Sequence, residues 1–168
     1  DPNIGIDTWQ GWIFINFDKN APLLSPQLKT VDAALDAKWR TKLAYLLTYK
    51  TSQAGSLIDC SLDRPNNWGG HSRASWLAAA LYLGDKAGAD KAVATLRGWM
   101  GNWSAYNGFE YGDLAWQIDK SKPVGILPKG AKIQGYDVDG GQPEELRRVA
   151  FKIPPGFVVY TWEGLQGP

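Results

Sequence analysis

The sequence contains almost no cysteine or histidine. Its 168 residues include one of each, Cys60 and His71. A single cysteine cannot form an internal disulfide. One cysteine and one histidine cannot supply the ligands of a cysteine/histidine zinc site or of an iron–sulfur cluster. We therefore expect no metal and no cofactor, and we expect Cys60 to be a small buried apolar residue.

The sequence also lacks an excess of either charge and a long hydrophobic run. Eighteen lysines and arginines stand against 17 aspartates and glutamates, a formal net charge of +1. Nucleic-acid-binding proteins usually carry a basic excess, so we do not expect nucleic acid as a partner. The longest apolar run, residues 76–83, is far shorter than the ~20 residues that span a bilayer, so we expect no membrane partner either. The 44% of hydrophobic residues is enough for a folded core.

Aromatic residues are abundant by contrast, with nine tryptophans and seven tyrosines. Aromatic rings stack on the apolar faces of sugar rings, and their N–H or O–H groups can still bond hydroxyls. At least half of these rings are expected to fill the core. An arginine nearby can lower the pKa of a tyrosine, which makes tyrosines candidate acids. The candidate acids are Tyr106, Tyr111, Tyr136 and Tyr160, and the candidate sugar-binding rings are Trp68, Trp103, Tyr106 and Tyr111.

The hydrophobic pattern predicts a mainly α-helical fold with a short β segment at the N-terminus. Residues 1–28 are expected to form a β and irregular segment, and residues 29–168 a helical domain. Residues 9–17 are rich in aromatic and β-branched side chains and predict a strand. Apolar residues at helical spacing predict three longer helices, over residues 30–49 with Thr30 as N-cap, from Asn67 or Gly70 to Gly84, and over residues 86–100. The last two should form an antiparallel hairpin.

The rest of the chain is predicted to be irregular or to form short helices. Residues 51–67 are predicted as a loop, and residues 101–135 as a long irregular stretch rich in tryptophan and tyrosine. Such a long irregular stretch is either functional or evidence against this assignment, and its tryptophans and tyrosines favour a functional segment. A short helix is predicted to begin near Pro143, with Glu144 and Glu145 in its first turn, and another is predicted over residues 160–166.

Two asparagines, Asn66 and Asn67, open the second predicted long helix. Side-chain amides and the backbone N–H groups of a helix N-terminus can bind an anion together. His71 follows Asn67 by four residues, which places both on one helix face, and a histidine there could act as a general base. The alternative is that the asparagine caps the helix and that the histidine is a partly exposed residue bonded to backbone.

Two arginines, Arg147 and Arg148, follow a glycine turn and the proline that starts the short helix. Arginine presents a rigid fork of donors that matches a carboxylate. The alternative is a solvated helix with glutamate–arginine pairs, which is the commoner role of such charge clusters.

Together these motifs resemble the alginate lyase family of helical-toroid polysaccharide lyases, over about residues 56–166. The resemblance rests on Asn66-Asn67 at the start of a helix that ends in Leu81-Tyr82-Leu83-Gly84-Asp85. It rests also on residues 139–148, Asp-Gly-Gly-Gln-Pro-Glu-Glu-Leu-Arg-Arg, and on the later Tyr160 and Trp162-Glu163-Gly164-Leu165. It implies a partial (α/α) toroid of antiparallel helix hairpins with long aromatic-rich loops. It also implies β-elimination on an anionic uronate polymer such as alginate, without a cofactor.

The resemblance assigns roles to individual residues. Asn67 matches the amide that binds the C5 carboxylate, Arg148 matches the catalytic arginine, and Tyr160 matches the catalytic tyrosine. His71 is the candidate base, and further substrate contacts are expected from Asn66, Trp68 and Arg147. Neutralisation of the carboxylate acidifies the C5 proton, because fixed donors stabilise the charge that develops there.

The sequence departs from the family pattern in two places. The family's histidine directly follows the paired asparagines, where this chain has Trp68, and His71 lies about one helical turn further on. Tyr160 is also farther from Arg148 than the family spacing. If His71 does not serve as the base, Tyr160 could act as both base and acid.

The N-terminal residues show a different likeness. Residues 9–28 resemble the segment that joins the Rieske and catalytic domains of ring-hydroxylating oxygenase large subunits. One cysteine and one histidine cannot provide Rieske ligands or a two-histidine iron site, so oxygenase chemistry is not expected.

The length of the chain leaves three functional hypotheses open. A full toroid needs roughly twice this length, since several more hairpins must close the ring. A missing second half or an oligomeric partner is therefore expected for a lyase, which we expect to be secreted or periplasmic. The alternatives are a carbohydrate-binding protein without catalysis and an inactive fragment of such a lyase.

Overall fold

The computed structural model describes residues 5–9, 12–16, 33–155 and 160–166, and these residues form a mainly helical fold. The strands in these ranges are β1 (Gly5–Trp9), β2 (Trp12–Asn16), β3 (Lys132–Ile133) and β4 (Tyr136–Asp137). The α-helices of the described residues are α1 (Ala33–Thr48), α2 (Leu57–Asp63), α3 (Asn67–Leu83), α4 (Lys86–Trp99), α5 (Pro143–Leu146) and α6 (Tyr160–Leu165). A 3₁₀ turn, Arg147–Val149, continues α5.

The N-terminal segment is a β-hairpin rather than the single strand predicted over residues 9–17. Strands β1 and β2 pair antiparallel, with Trp9 opposite Trp12 and Gly5 opposite Asn16. The prediction of one strand was therefore wrong in its bounds, because Trp9 ends β1 and Trp12 begins β2. The predicted N-cap of α1, Thr30, lies outside the described residues.

Helix α2 occupies part of the segment that was predicted to be a loop. Its start is a capping box, in which the Ser56 hydroxyl accepts from the Asp59 N–H and the Asp59 carboxylate accepts from the Ser56 N–H. These reciprocal bonds satisfy two backbone donors at the helix start. The spacing Ser-x-x-Asp was the signal for this helix in the sequence.

Helices α3 and α4 pack against each other across a two-residue link, as the sequence predicted. Gly84 ends α3 in the left-handed conformation, with a φ of 77°. Glycine adopts this conformation without the steric cost that other residues incur. Asn66, rather than Asn67 or Gly70, is the N-cap of α3, and its side chain accepts from the Gly69 N–H.

The first core lies between α1, α3 and α4, and a second core lies in the irregular segment. The first is built from Leu47, Trp76, Ala79, Ala80, Ala89 and Ala92. Alanines at these positions let helices approach closely. The second consists of Trp116, Leu127, Ala131, Val138 and Leu146, with Trp116 only 1% exposed. The long aromatic segment is therefore packed around its own core.

Helix α5 contributes Leu146 to this second core, and the 3₁₀ turn that follows brings Arg148 to the N-terminal end of α3. Pro143 lies in the first turn of α5, where its missing N–H costs nothing. Helix α6 packs against both α3 and α5. Within the described residues, no helix combines the length and the apolar character needed to cross a membrane.

Candidate functional site

Asn67 and Arg148 are in contact although 81 residues separate them. The Arg148 Nη2 donates a hydrogen bond to the Asn67 Oδ1 at 3.2 Å. Asn67 is the first residue of α3 and is 3% exposed. The Arg148 side chain is 34% exposed and reaches the surface. The two side chains that the resemblance assigns to carboxylate binding therefore lie at one place, while their catalytic roles stay a prediction.

Glu145 is a buried residue that contacts both Asn67 and Arg148. Its side chain is fully buried, and its Oε1 accepts from the Asn67 backbone N–H at 2.8 Å. Its Oε2 pairs with the Arg148 Nε at 2.5 Å. The first N–H groups of a helix have no partner inside the helix, and an anion there interacts favourably with the helix dipole. The backbone N–H of Asn67 is thus occupied by an internal carboxylate and is not free to bind an external anion.

Glu144 repeats this arrangement one residue earlier. Its Oε1 accepts from the Gly112 N–H at 2.9 Å, and its Oε2 pairs with the Arg147 Nε at 2.7 Å. A Cβ added to Gly112 would lie 2.8 Å from the Arg147 Cζ, so the absent side chain makes room for the guanidinium. The glutamate–arginine pairs that sequence reasoning treated as the alternative to a functional site are present, but both glutamates are buried rather than solvated.

A groove of about 450 Å³ lies beside the N-terminal half of α3. Trp68, His71 and Ser72 line one side of it, and Leu46, Tyr49 and Cys60 are among the residues that complete it. The lone cysteine is buried at this groove, which is the environment predicted for it.

His71 and Trp68 are both exposed at the groove. His71 follows Asn67 by one helical turn, on adjoining parts of the same face. Asn67 itself does not line the groove. The Arg64 guanidinium lies over the Trp68 ring, 5.7 Å from the ring centroid.

Two of the predicted substrate-binding aromatics use their polar atoms inside the fold, and a third has its polar atom buried without a partner. The Trp103 indole N–H donates to the Pro123 carbonyl at 3.0 Å, and the Tyr106 hydroxyl donates to the Leu62 carbonyl at 2.9 Å. The Tyr111 hydroxyl is buried and has no hydrogen-bond partner among the described residues.

Burial raises the pKa of both Tyr106 and Tyr111 above the ordinary tyrosine value. Arg73 acts in the opposite direction on both pKa values, but its effect is the smaller one. Sequence reasoning suggested that a nearby arginine would lower the pKa of a tyrosine. For these two rings desolvation outweighs the positive charge, because it disfavours the charged phenolate.

Arg73 is a buried residue that sequence reasoning missed. It is 3% exposed, and its Nη1 donates to the Arg64 carbonyl, which caps the C-terminus of α2, at 3.1 Å. Its guanidinium also lies over the rings of Trp99 and Phe109. Burial lowers its pKa to about 10. The local sequence pattern does not distinguish Arg73 from other arginines, because the aromatic rings that it contacts belong to distant segments of the chain.

Tyr160 is the first residue of α6, and its side chain lies outside the described residues. Across the described ranges, no group of three or more histidine, cysteine, aspartate or glutamate side chains is placed to hold a metal ion. No family model matches this sequence, and no curated protein or solved structure matches it.

Proposed function

We propose that this chain is a polysaccharide lyase, or part of one, that cleaves a uronate polymer such as alginate by β-elimination. The contact between the Arg148 guanidinium and the Asn67 amide carries the proposal. With its oxygen accepting from Arg148, the Asn67 amide presents its N–H groups as donors. An amide and a guanidinium side by side suit a sugar carboxylate, because both donate hydrogen bonds to oxygen.

In this proposal, the base removes the C5 proton while the C4–O4 bond breaks and a C4–C5 double bond forms. Negative charge moves onto the C5 carboxylate during proton removal, and Asn67 and Arg148 stabilise that charge. The acid delivers a proton to the departing O4 oxygen. His71 is the proposed base and Tyr160 the proposed acid, with Tyr160 in both roles as the alternative. Trp68, which follows Asn67 in the sequence, supplies a sugar-binding ring, and Asn66 and Arg147 are proposed as further substrate contacts.

We further propose that the helices form part of an (α/α) toroid. Leu35 and Trp39 are exposed on α1, four residues apart and outside the groove. Contiguous apolar side chains of this kind commonly mark a surface that another element covers. Further hairpins from a missing second half or an oligomeric partner would cover it. A polymeric substrate of this kind also favours a secreted or periplasmic protein.

The test is the absorbance of the unsaturated uronate that β-elimination creates. We expect the wild-type chain to raise this absorbance on alginate or another uronate polymer, and we expect Asn67→Ala and Arg148→Ala to abolish the rise. Arg97→Ala is the matched control, because Arg97 is exposed on α4 and belongs to neither arginine pair. A wild-type chain that produces no rise with any uronate polymer between mildly acidic and alkaline pH contradicts the proposal.

A carbohydrate-binding protein without catalysis is the second candidate. Its support is that Glu145 already neutralises much of the Arg148 charge, while Trp68 is 44% exposed. Affinity electrophoresis separates the two candidates. Retardation of the chain by alginate without product formation favours binding alone, and retardation with product favours the lyase.

A further inference from the structure

Glu145 makes one hydrogen bond and one ion pair, and these two contacts fix Asn67 and Arg148 relative to each other. One carboxylate oxygen is bonded to the Asn67 backbone N–H, and the other pairs with the Arg148 Nε. The Arg148 Nη2 then meets the Asn67 side chain, so three groups close a ring of contacts. Because Glu145 is fully buried, water does not compete with these partners at its carboxylate.

The charge of Glu145 also matters for the chemistry. A carboxylate on one edge of a guanidinium fixes the plane of its remaining donors, because arginine presents its N–H groups in a rigid fork. Arg148 is one-third exposed, and a long side chain at the surface would otherwise lose conformational entropy when it is held in one position. The ion pair with the buried carboxylate restricts the Arg148 side chain before any ligand binds, so less conformational entropy is lost on binding.

We infer that Glu145 is the positioning residue of this site, which orients Arg148 and Asn67 toward the carboxylate of a uronate. This inference rests on the proposed lyase function. Glu145 touches no substrate and acts through its two neighbours. Glu144 and Glu145 are both buried, and both pair with an arginine. A positioning role for Glu145, as opposed to a general structural one, requires that Glu145 affects the chemical step more than Glu144 does.

Glu145→Gln and Glu144→Gln form the matched pair of variants. Each keeps the side-chain size and an oxygen that can accept the backbone N–H, and each removes one negative charge from one arginine. We expect Glu145→Gln to lower kcat about 10- to 100-fold with little change in KM, since a misplaced group near the reacting atoms costs about this much. We expect Glu144→Gln to change KM at most, through Arg147. Equal losses of kcat in both variants would overturn the inference.

A second measurement does not depend on activity. The Arg148 Nε–H resonance in a ¹⁵N-correlated NMR spectrum is assigned by its absence in Arg148→Lys. We expect this resonance to move in Glu145→Gln and to stay in place in Glu144→Gln. An unmoved resonance in Glu145→Gln overturns the inference. If the wild-type chain forms no unsaturated product, the lyase proposal fails and the resonance alone decides whether Glu145 positions Arg148.

A further pair of variants covers the case in which Glu145→Gln does not fold. Arg148→Lys keeps the positive charge but loses the Nε contact with Glu145, and Arg147→Lys does the same at the Glu144 pair. Both arginine side chains are about one-third exposed, so these variants should fold. We expect kcat to fall in Arg148→Lys and KM alone to change in Arg147→Lys. The reverse pattern overturns the inference.

Discussion

Glu144 and Glu145 are neighbours on one turn of helix, yet they hold two distant parts of the chain. Glu144 binds the backbone N–H of Gly112 in the irregular segment, and Glu145 binds that of Asn67 at the start of α3. Each uses its second oxygen for the arginine three residues later. A buried carboxylate is costly unless it is paired and hydrogen-bonded, and both conditions are met here.

Trp68 provides the first prediction, because its ring is exposed beside Asn67. If it stacks on a sugar ring, Trp68→Ala should weaken uronate oligomer binding by about 1 kcal/mol, which corresponds to roughly fivefold. Trp39→Ala is the matched control, since Trp39 is 43% exposed on α1 and does not line the groove. Isothermal titration of both variants measures the difference. Equal affinities in the two variants would show that Trp68 does not contribute to sugar binding.

Arg73 provides the second prediction, on stability. Arg73→Ala removes the donor at the end of α2 and the contacts with the rings of Trp99 and Phe109, and it should lower the free energy of unfolding by about 2–4 kcal/mol. Arg73→Met fills the same space without a buried charge and should recover part of this loss. Urea unfolding monitored by circular dichroism tests the order. An alanine variant as stable as the methionine variant would contradict the packing role.

The capping box of α2 provides the third prediction, on pH. Hydrogen bonds from the Ser56 backbone and side chain, followed by the charge of Lys50, hold the pKa of Asp59 below its ordinary value of 3.8. Because the folded pKa is lowered, the carboxylate adds stability above the unfolded value and loses it as the pH falls through the folded pKa. Ser56→Ala should cost about 1 kcal/mol at neutral pH.

The measurement for this third prediction is the free energy of unfolding between neutral and acidic pH. We expect Asp59→Asn to be less stable than wild type at neutral pH and to approach it at low pH. Asp90→Asn is the control, because Asp90 is exposed on α4 and pairs only with Lys86 among the described contacts. A gap between wild type and Asp59→Asn that stays constant with pH would show that the carboxylate charge does not support the cap.

The sequence predicted the elements that local signals determine. Helical spacing and a terminal glycine were enough for α3 and α4, and the proline was enough for the start of α5. Helix α2 was missed, although Ser56 and Asp59 carried its signal, because seven residues are too few for a clear apolar period. Asn67 and Arg148 were expected to meet only through the family resemblance, since nothing local relates two residues 81 positions apart.

The residues that support the site were harder to predict. Glu145 looked like an ordinary acidic residue in the first turn of a helix, where the dipole favours it. Its partner Asn67 begins α3 and comes from a distant part of the sequence. The same holds for Arg73, whose aromatic neighbours come from α4 and the irregular segment.

Helix α5 has only four residues, and a single helical turn is not stable in isolation. The two glutamates therefore depend on distant backbone for their own placement, just as the arginines depend on the glutamates. A partly folded chain would have neither arginine in position. Ligand affinity should consequently appear in one cooperative step together with the native state, and a refolding experiment should recover binding and tertiary structure at the same rate.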